Sequence, residues 1–287
     1  MKYTLASLVF LGAAAVGISG CYSESWDHHG GYADSEIVFG ISQTKSADGK
    51  VTTSVGYEHL DVRNRGWRTR GFVSRDRSCW AERLDDRLGQ PKVEGGVALF
   101  KGGQLPAGGI AVIANRPDEL TFDGPAWSTA GEALTFEARG FAMPTIDPAR
   151  LRVPSLDLAL VTPADAAAEV AVRLDRELEV GWTKPEPGAA DAKENVVASL
   201  LVVPEGEPES RGVELRCFFD RDDGTGRFPR NLMDRFVSLA EGVPGGAVKG
   251  KLRIATHRQL TIFADGGWTV YVVASVDQRE QPFVLQR

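Results

Sequence analysis

The amino-acid sequence predicts an all-β protein with two β-sandwich domains and one short helix. From Ser35 onward, short apolar runs of strand length recur, and most of them are β-branched or aromatic in character. Gly, Pro, Asn and Asp break these runs at intervals of about eight to twelve residues, which is typical of sandwiches and barrels. Prolines between Pro144 and Pro163 place a boundary near Val153, so the predicted domains are 35–153 and 154–287.

The first twenty residues predict export from the cytoplasm. A basic start at Lys2 is followed by an apolar core from Leu5 to Val16 and by small residues at Ser19 and Gly20. This is the build of a bacterial export signal, and it is too short for a comfortable membrane span. Residues 1–20 are therefore predicted to be a signal peptide.

The end of this leader reads Ile18-Ser19-Gly20-Cys21, which resembles the lipobox of bacterial lipoproteins. The resemblance implies lipidation of the Cys21 thiol, removal of the leader before it and acylation of the new amino terminus. Each buried methylene contributes about 0.8 kcal/mol, so several acyl chains hold a protein at a bilayer. Tyr22 follows in place of Asp, which by the same resemblance favours the outer membrane. The alternatives are an ordinary cleaved signal with an incidental cysteine, or an uncut anchor helix.

Residues 21–34 are polar, contain glycine and show no period, so they predict a flexible tether. Two adjacent histidines, His28 and His29, lack the further ligands of a closed metal site, and no metal or other cofactor is expected. The chain from Cys21 onward has 32 basic and 39 acidic side chains, a net charge of about −7. This balance disfavours a nucleic-acid partner.

The apolar runs predict where the strands lie along the sequence. In the first domain the predicted strands are Glu36–Ser42, Thr52–Tyr57, Gly96–Phe100, Ile110–Ala114, Glu119–Phe122 and Ala133–Ala138. In the second they are Leu156–Val161, Glu169–Leu174, Leu178–Thr183, Val196–Val203, Val213–Phe219, Lys251–Ile254, Leu260–Phe263 and Trp268–Val276. After Pro229, apolar residues recur at helical spacing as far as Ala240 and Gly242 supplies a stop, which predicts the helix.

Leu178, Val180 and Trp182 would share one face of a strand. This segment resembles the early strand of fibronectin type III and immunoglobulin-like domains, in which a Trp packs across two sheets. Together with CFFDRDDGTGRFP, Cys217–Pro229, it resembles a group of uncharacterised bacterial lipoproteins with tandem β domains. The resemblance covers most of residues 95–287. It implies an immunoglobulin-like second domain and carries no activity.

Cys79 and Cys217 are the two cysteines left in a compartment that permits disulfides. A bond between them would tie the first half of the chain to the second. The alternative is two separate buried thiols. Cys217 alternates with apolar residues along its predicted strand, so its burial is expected in both cases.

One basic stretch stands out in this acidic chain, with six arginines among aromatic residues at 63–77. Guanidinium groups beside aromatic faces suit phosphate, sulfate or uronic acid groups. Trp67, Arg68 and Arg70 are therefore the predicted ligand-binding residues. The competing interpretation is a solvated face that neighbouring carboxylates neutralise through salt bridges.

No residue is assigned a catalytic or metal-binding role. Asp220, Asp222 and Asp223 resemble the start of a calcium loop, but Thr225 and Asn231 stand where that loop needs Gly and Glu. Motifs of nucleophilic, metalloprotease and nucleotide-binding enzymes are absent from the sequence. The sequence predicts a non-catalytic binding or structural surface module for an envelope glycan or a protein partner. The alternative is a secreted β-fold hydrolase acting on glycan, because paired carboxylates leave no short signature.

Overall fold

A computed structural model describes residues 35–46, 48–60, 79–84, 96–113, 120–140, 144–164, 168–173, 176–185, 194–241 and 249–286. In these residues it contains sixteen strands and one α-helix, which confirms the predicted all-β class with a short helix. The predicted signal peptide, Cys21 and the tether lie outside the described residues. So do Trp67, Arg68 and Arg70.

The strands and the helix have the following bounds. The first eight strands are β1 Ser35–Lys45, β2 Val51–Leu60, β3 Cys79–Arg83, β4 Val97–Gly102, β5 Ile110–Ile113, β6 Leu120–Asp123, β7 Ala133–Arg139 and β8 Ile146–Arg152. The others are β9 Leu160–Thr162, β10 Val170–Arg173, β11 Leu178–Trp182, β12 Asn195–Val202, β13 Val213–Asp220, β14 Thr225–Phe228, β15 Lys249–Ala264 and β16 Trp268–Gln286. The helix, α1, is Arg230–Glu241.

A nine-stranded sheet, here called the long sheet, is the largest of the three sheets in the described residues. Its order is β3-β13-β12-β15-β16-β1-β2-β6, and β10 also pairs with β16. β1 lies parallel to β16, from the pair Ser35 and Trp268 to the pair Thr44 and Asp277. Strands from both sides of Val153 therefore share one sheet. The division into domains 35–153 and 154–287 stays a prediction.

Two smaller sheets pack on one face of the long sheet. One has the order β5-β4-β7-β8 and the other β14-β11-β9. The first core lies between β1, β16 and the four-stranded sheet, where Phe39 contacts Phe136 at a ring distance of 5.2 Å. The second core lies between β12, β13, β15 and the three-stranded sheet, closed by α1. Two sandwich-like layers thus share a common wall, which confirms the predicted sandwich architecture.

Register shows that the two cores occupy the same face. Directly paired residues in neighbouring strands point to one side of a sheet. Thr256 pairs with Val276, a member of the first core, and also with Val196, a member of the second. Thr256 therefore marks the place where one core gives way to the other.

The helix α1 starts as the sequence predicts. The carbonyl of Pro229 accepts hydrogen bonds from the backbone of Leu232 and Met233. Both of these side chains, with those of Phe236 and Ala240, are buried in the second core. Among the described residues, no helix combines the length and apolar character that crossing a bilayer requires.

The long hairpin of β15 and β16 differs from the predicted pattern. The sequence predicts separate strands at Lys251–Ile254 and Leu260–Phe263, whereas β15 runs unbroken through both. Four of the five intervening residues are polar, and three of these, Thr256, His257 and Arg258, are buried. Polar partners inside the protein, rather than solvent, explain the break in the apolar pattern.

Candidate functional site

A polar cluster of buried and partly buried side chains, here called the polar junction, separates the two cores. It consists of Ser155, Glu194, Arg221, Thr256, Arg258 and Gln278. Thr256 and Arg258 come from β15, and Glu194 immediately precedes β12. The segment around Ser155 connects β8 of the four-stranded sheet with β9 of the three-stranded sheet. The junction therefore lies where the two smaller sheets are joined.

The carboxylate of Glu194 is the centre of the polar junction. It accepts hydrogen bonds from the backbone nitrogen of Ser155 at 3.1 Å and from its hydroxyl at 3.2 Å. Arg221 Nη1 lies 3.0 Å from one carboxylate oxygen and Arg258 Nη2 lies 3.5 Å from the other. The Glu194 side chain is 3% exposed, so these contacts stand in for solvent.

The backbone at Ser155 is fixed from the opposite side by β15 and β16. Its carbonyl oxygen accepts hydrogen bonds from Thr256 Oγ1 at 2.7 Å and from Gln278 Nε2 at 3.3 Å. The side-chain oxygen of Gln278 accepts from the Leu158 backbone nitrogen at 2.9 Å. Side chains of the long sheet thus provide hydrogen-bond partners for the Ser155 carbonyl and the Leu158 nitrogen, which lie in a segment between strands.

Arg221 reaches the junction from a turn that the sequence suggested as a calcium loop. The turn is a single 3-10 turn over Arg221–Asp223, and Asp220 caps it by accepting a hydrogen bond from the Asp222 nitrogen at 3.0 Å. Gly224 ends it in the left-handed region with φ of 71°, which disfavours a side chain there. Groups of three or more metal-ligating side chains are absent from the described residues.

Trp182 links this turn to the second core. Its side chain is 3% exposed, and its indole nitrogen donates to the Arg221 carbonyl at 2.7 Å. The apolar ring fills the core while the polar edge finds a partner. Trp182 therefore packs between the three-stranded sheet and the long sheet, as the resemblance to fibronectin type III domains implies.

The junction holds more cationic donors than its carboxylate can accept. Arg258 Nε and Nη1, and Arg221 Nε, are buried without a hydrogen-bond partner among the described residues. Glu194 is the one carboxylate that contacts these two guanidinium groups there. A pair of carboxylates of the kind that a glycosidase needs does not converge in this described cluster. Its chemistry is that of an ion cluster that fixes structure.

A second buried polar group lies on the opposite face of the long sheet. Glu214 and Arg216 of β13 form an ion pair at 2.6 Å, with side chains 2% and 3% exposed. Beside them Trp80 stacks on Phe218 at 5.5 Å, and Phe218 meets the ring of His257 edge-on at 5.2 Å. Burial, together with the charge of Arg216, lowers the pKa of His257 to about 3. His257 is therefore a neutral, structural histidine at physiological pH.

Because the pKa of His257 is lowered in the folded protein, we expect the free energy of unfolding to depend on pH. Between pH 6.5 and about 3, the unfolded chain binds a proton at His257 that the folded chain excludes by its lowered pKa. The free energy of unfolding therefore falls as the pH drops through this window, by up to about 1.4 kcal/mol per pH unit. Between pH 7 and 4.5, the wild type should lose about 2 to 3 kcal/mol more than a His257→Gln variant in urea unfolding.

Other groups also titrate in this pH range. Because they are present in both the wild type and the His257→Gln variant, their contributions cancel when the two proteins are compared. Burial raises the pKa of Asp277, which favours the folded state at low pH. Burial also opposes ionisation of Glu209 and Glu280, but Arg253 lowers the pKa of both, so their contribution is lost as pH falls. All three remain in the His257→Gln variant. Parallel pH profiles of the two proteins would contradict the role given to His257.

The structure brings the two predicted cysteines together. Cys79 and Cys217 are direct partners in the pairing of β3 with β13, and they form a disulfide across 138 residues of sequence. Both are buried against the second core. The bond ties β3 at the edge of the long sheet to its neighbour.

The predicted ligand-binding residues fall between two described strands. β2 ends at Leu60 and β3 begins at Cys79, so Trp67, Arg68 and Arg70 lie outside the described residues. These two strands are six positions apart in the long sheet. With about 4.8 Å between neighbouring strands, the two strands are on the order of 30 Å apart across the sheet. The register also displaces Leu60 and Cys79 by about ten residues along the strand direction.

Sequence reasoning missed the polar junction. Its members are spread from Ser155 to Gln278 and share no short spacing. One signal was present, because Thr256-His257-Arg258 interrupts a run that otherwise reads as a buried strand. An acidic residue, Glu194, also immediately precedes β12. Unpaired charges beside buried strands indicate a partner elsewhere in the chain.

No protein-family model matches the chain, and no curated protein matches it. Among solved structures, a similar one is the crystal structure of the chicken CNTN1 FN1–FN3 domains. That chain is 10% identical, with a TM-score of 0.23, and the match covers 87% of this chain and 63% of that one. The protein thus spans less than two thirds of that structure. At this TM-score the likeness carries no argument, and the fold assignment rests on the strands and layers themselves.

Proposed function

We propose that the protein is a lipid-anchored component of the cell envelope that acts as a non-catalytic binding or structural module. The lipobox-like Ile18-Ser19-Gly20-Cys21 supports the anchor. Acylation of Cys21 attaches the chain to a membrane, and Tyr22 favours the outer membrane as its location. The membrane is then the first partner of the protein.

The observation that supports the binding role is that the arginine-rich stretch lies in sequence between two strands of the long sheet. β2 ends at Leu60, before this stretch, and β3 begins after it at the disulfide-bonded Cys79. Binding residues commonly lie on connections that a rigid scaffold positions. Trp67, Arg68 and Arg70 would supply an aromatic platform and two planar cations for an anionic group.

The partner that suits these residues is an anionic envelope glycan or an acidic protein surface. Arg side chains at rigid sites recognise carboxylate and phosphate groups through paired hydrogen bonds. In the described junction, Glu194 is committed to two arginines and to Ser155, so it serves structure.

Binding to a purified envelope fraction tests this proposal. The wild type should bind saturably, and the triple variant Trp67→Ala/Arg68→Ala/Arg70→Ala should bind at least about tenfold more weakly, a loss of about 1.4 kcal/mol. Arg227→Ala is the matched control, because this arginine is exposed and pairs only with exposed Glu179 among the described residues. Equal binding by the triple variant and the wild type would remove these residues from the proposal.

A further inference from the structure

One end of the long sheet, here called the entry end, is where the chain enters the fold. β1 begins there at Ser35, which pairs with Trp268 at the start of β16. The hairpin between β15 and β16 turns at the same end, through Asp265, Gly266 and Gly267. The opposite end of β1, at Lys45, lies roughly 33 Å away at about 3.3 Å per residue.

The entry end carries an exposed aromatic ring. Phe263 is 80% exposed, more than any other large hydrophobic side chain among the described residues. It stands in β15 one residue before the pair that closes the hairpin, Ala264 with Trp268. Trp268 is partly buried and packs against the first core, so the base of the hairpin is firmly held. Ile262 packs against the first core, so the neighbouring Phe263 lies on the opposite face of β15, with its ring directed away from that core.

The position of Cys21 relates this ring to a membrane. Ser35 lies fourteen positions after Cys21 in the sequence. The flexible tether that the sequence predicts over this length would span about 20 Å on average. That average is less than the roughly 33 Å length of β1, so an anchor at Cys21 would keep the entry end, on average, closer to the bilayer than the Lys45 end.

We propose that the entry end faces the bilayer and that Phe263 inserts into its interface. The inference rests on the proposed lipidation of Cys21. A ring such as Phe gains from burial at the boundary of headgroups and acyl chains, and a second contact adds to the hold of the acyl anchor. Asp265 is the one charged residue of the turn, and β2 ends at the same end of the sheet, where Leu60 pairs with Glu36. The partner of this surface is the lipid itself.

The experiment uses the lipidated full-length protein in vesicles of phosphatidylethanolamine and phosphatidylglycerol. A new cysteine, Asp265→Cys, takes an environment-sensitive fluorophore, since Cys79 and Cys217 are bonded to each other and Cys21 is acylated. Lys45→Cys carries the same label as the control, because Lys45 is exposed at the opposite end of β1. Lipids bearing a quencher should quench the label at 265 several-fold more than the label at 45. Adding Phe263→Ser should reduce that difference at least twofold.

Three results would overturn the inference. Equal quenching at 265 and 45 in protein that floats with the vesicles would show that the entry end does not face the bilayer, while the anchor stands. Stronger quenching at 265 that Phe263→Ser leaves unchanged would remove the insertion of the ring. Protein that fails to float would refute the lipid anchor itself, and the inference would fall with it.

Discussion

Replacing both Cys79 and Cys217 with alanine is expected to lower the free energy of unfolding by about 3 to 5 kcal/mol. The bond closes a loop across 138 residues, so its loss frees a large part of the unfolded chain. It also releases β3, a five-residue strand that forms the edge of the long sheet. Alanine is preferable to serine here because both sites are buried, and a hydroxyl without a partner would add its own cost.

The measurement is equilibrium unfolding in urea, with all proteins in a Cys21→Ser background that avoids lipid. The Cys21→Ser protein with its disulfide intact is the matched control, since it lacks one cysteine but keeps the bond. It should unfold at the higher urea concentration. A difference below about 1 kcal/mol between the two proteins would contradict the stabilising role of the disulfide, because removal of a native bond typically costs 2 kcal/mol or more.

Substituting Glu194 with glutamine is expected to lower the free energy of unfolding by a similar amount, about 3 to 5 kcal/mol. The substitution removes the carboxylate from Arg221 and Arg258 while keeping the shape of the side chain. Arg258 is 7% exposed, so its charge cannot turn to solvent. A buried charge that loses its partner is far more costly than a broken surface pair.

Glu179→Gln provides the control for this prediction. Glu179 pairs with Arg227 at 2.9 Å, but these side chains are 45% and 63% exposed. Its loss should change stability by less than about 1 kcal/mol. Adding Arg258→Met to Glu194→Gln should recover part of the lost stability, since it removes one uncompensated cation. Equal effects of Glu194→Gln and Glu179→Gln would show that the junction does not hold the two cores together.

The sequence was a good guide wherever local patterns decide structure. The hairpin of β1 and β2, with Asp48-Gly49 at its turn, and the helix after Pro229 both follow from short-range signals. The buried alternation of β13 placed Cys217 correctly in the core. Each of these elements depends on residues within about one turn or one strand of each other.

Other elements depend on partners far away in sequence. β8 contains Pro148 and charged residues, so it does not read as a strand, but as the edge of its sheet it tolerates a residue without a backbone donor. The predicted strand Leu156–Val161 shrinks to Leu160–Thr162, because Ser155 and Leu158 bond to side chains of the long sheet instead. The parallel pairing of β1 with β16 joins opposite ends of the chain. No local pattern can indicate such a contact.

The candidate site divides in the same way. Cys79 and Cys217 could be named from the sequence because only one pair was available. The polar junction could not be predicted from the sequence, because the role of Glu194 depends on ion pairs with Arg221 and Arg258, which come from two other elements. Trp67, Arg68 and Arg70 remain a prediction from composition, namely aromatic rings among cations in an acidic chain.

The anchor at Cys21 is the central claim, and intact mass with membrane fractionation tests it most directly. The native protein and a Cys21→Ser variant are expressed in parallel in a bacterial host with an outer membrane. The native chain should begin at Cys21, carry the mass of its acyl groups and fractionate with the outer membrane, while the variant is soluble. Native protein that is soluble and carries no acyl mass would contradict the anchor. The search for a partner would then move from a membrane surface to a diffusible ligand or substrate.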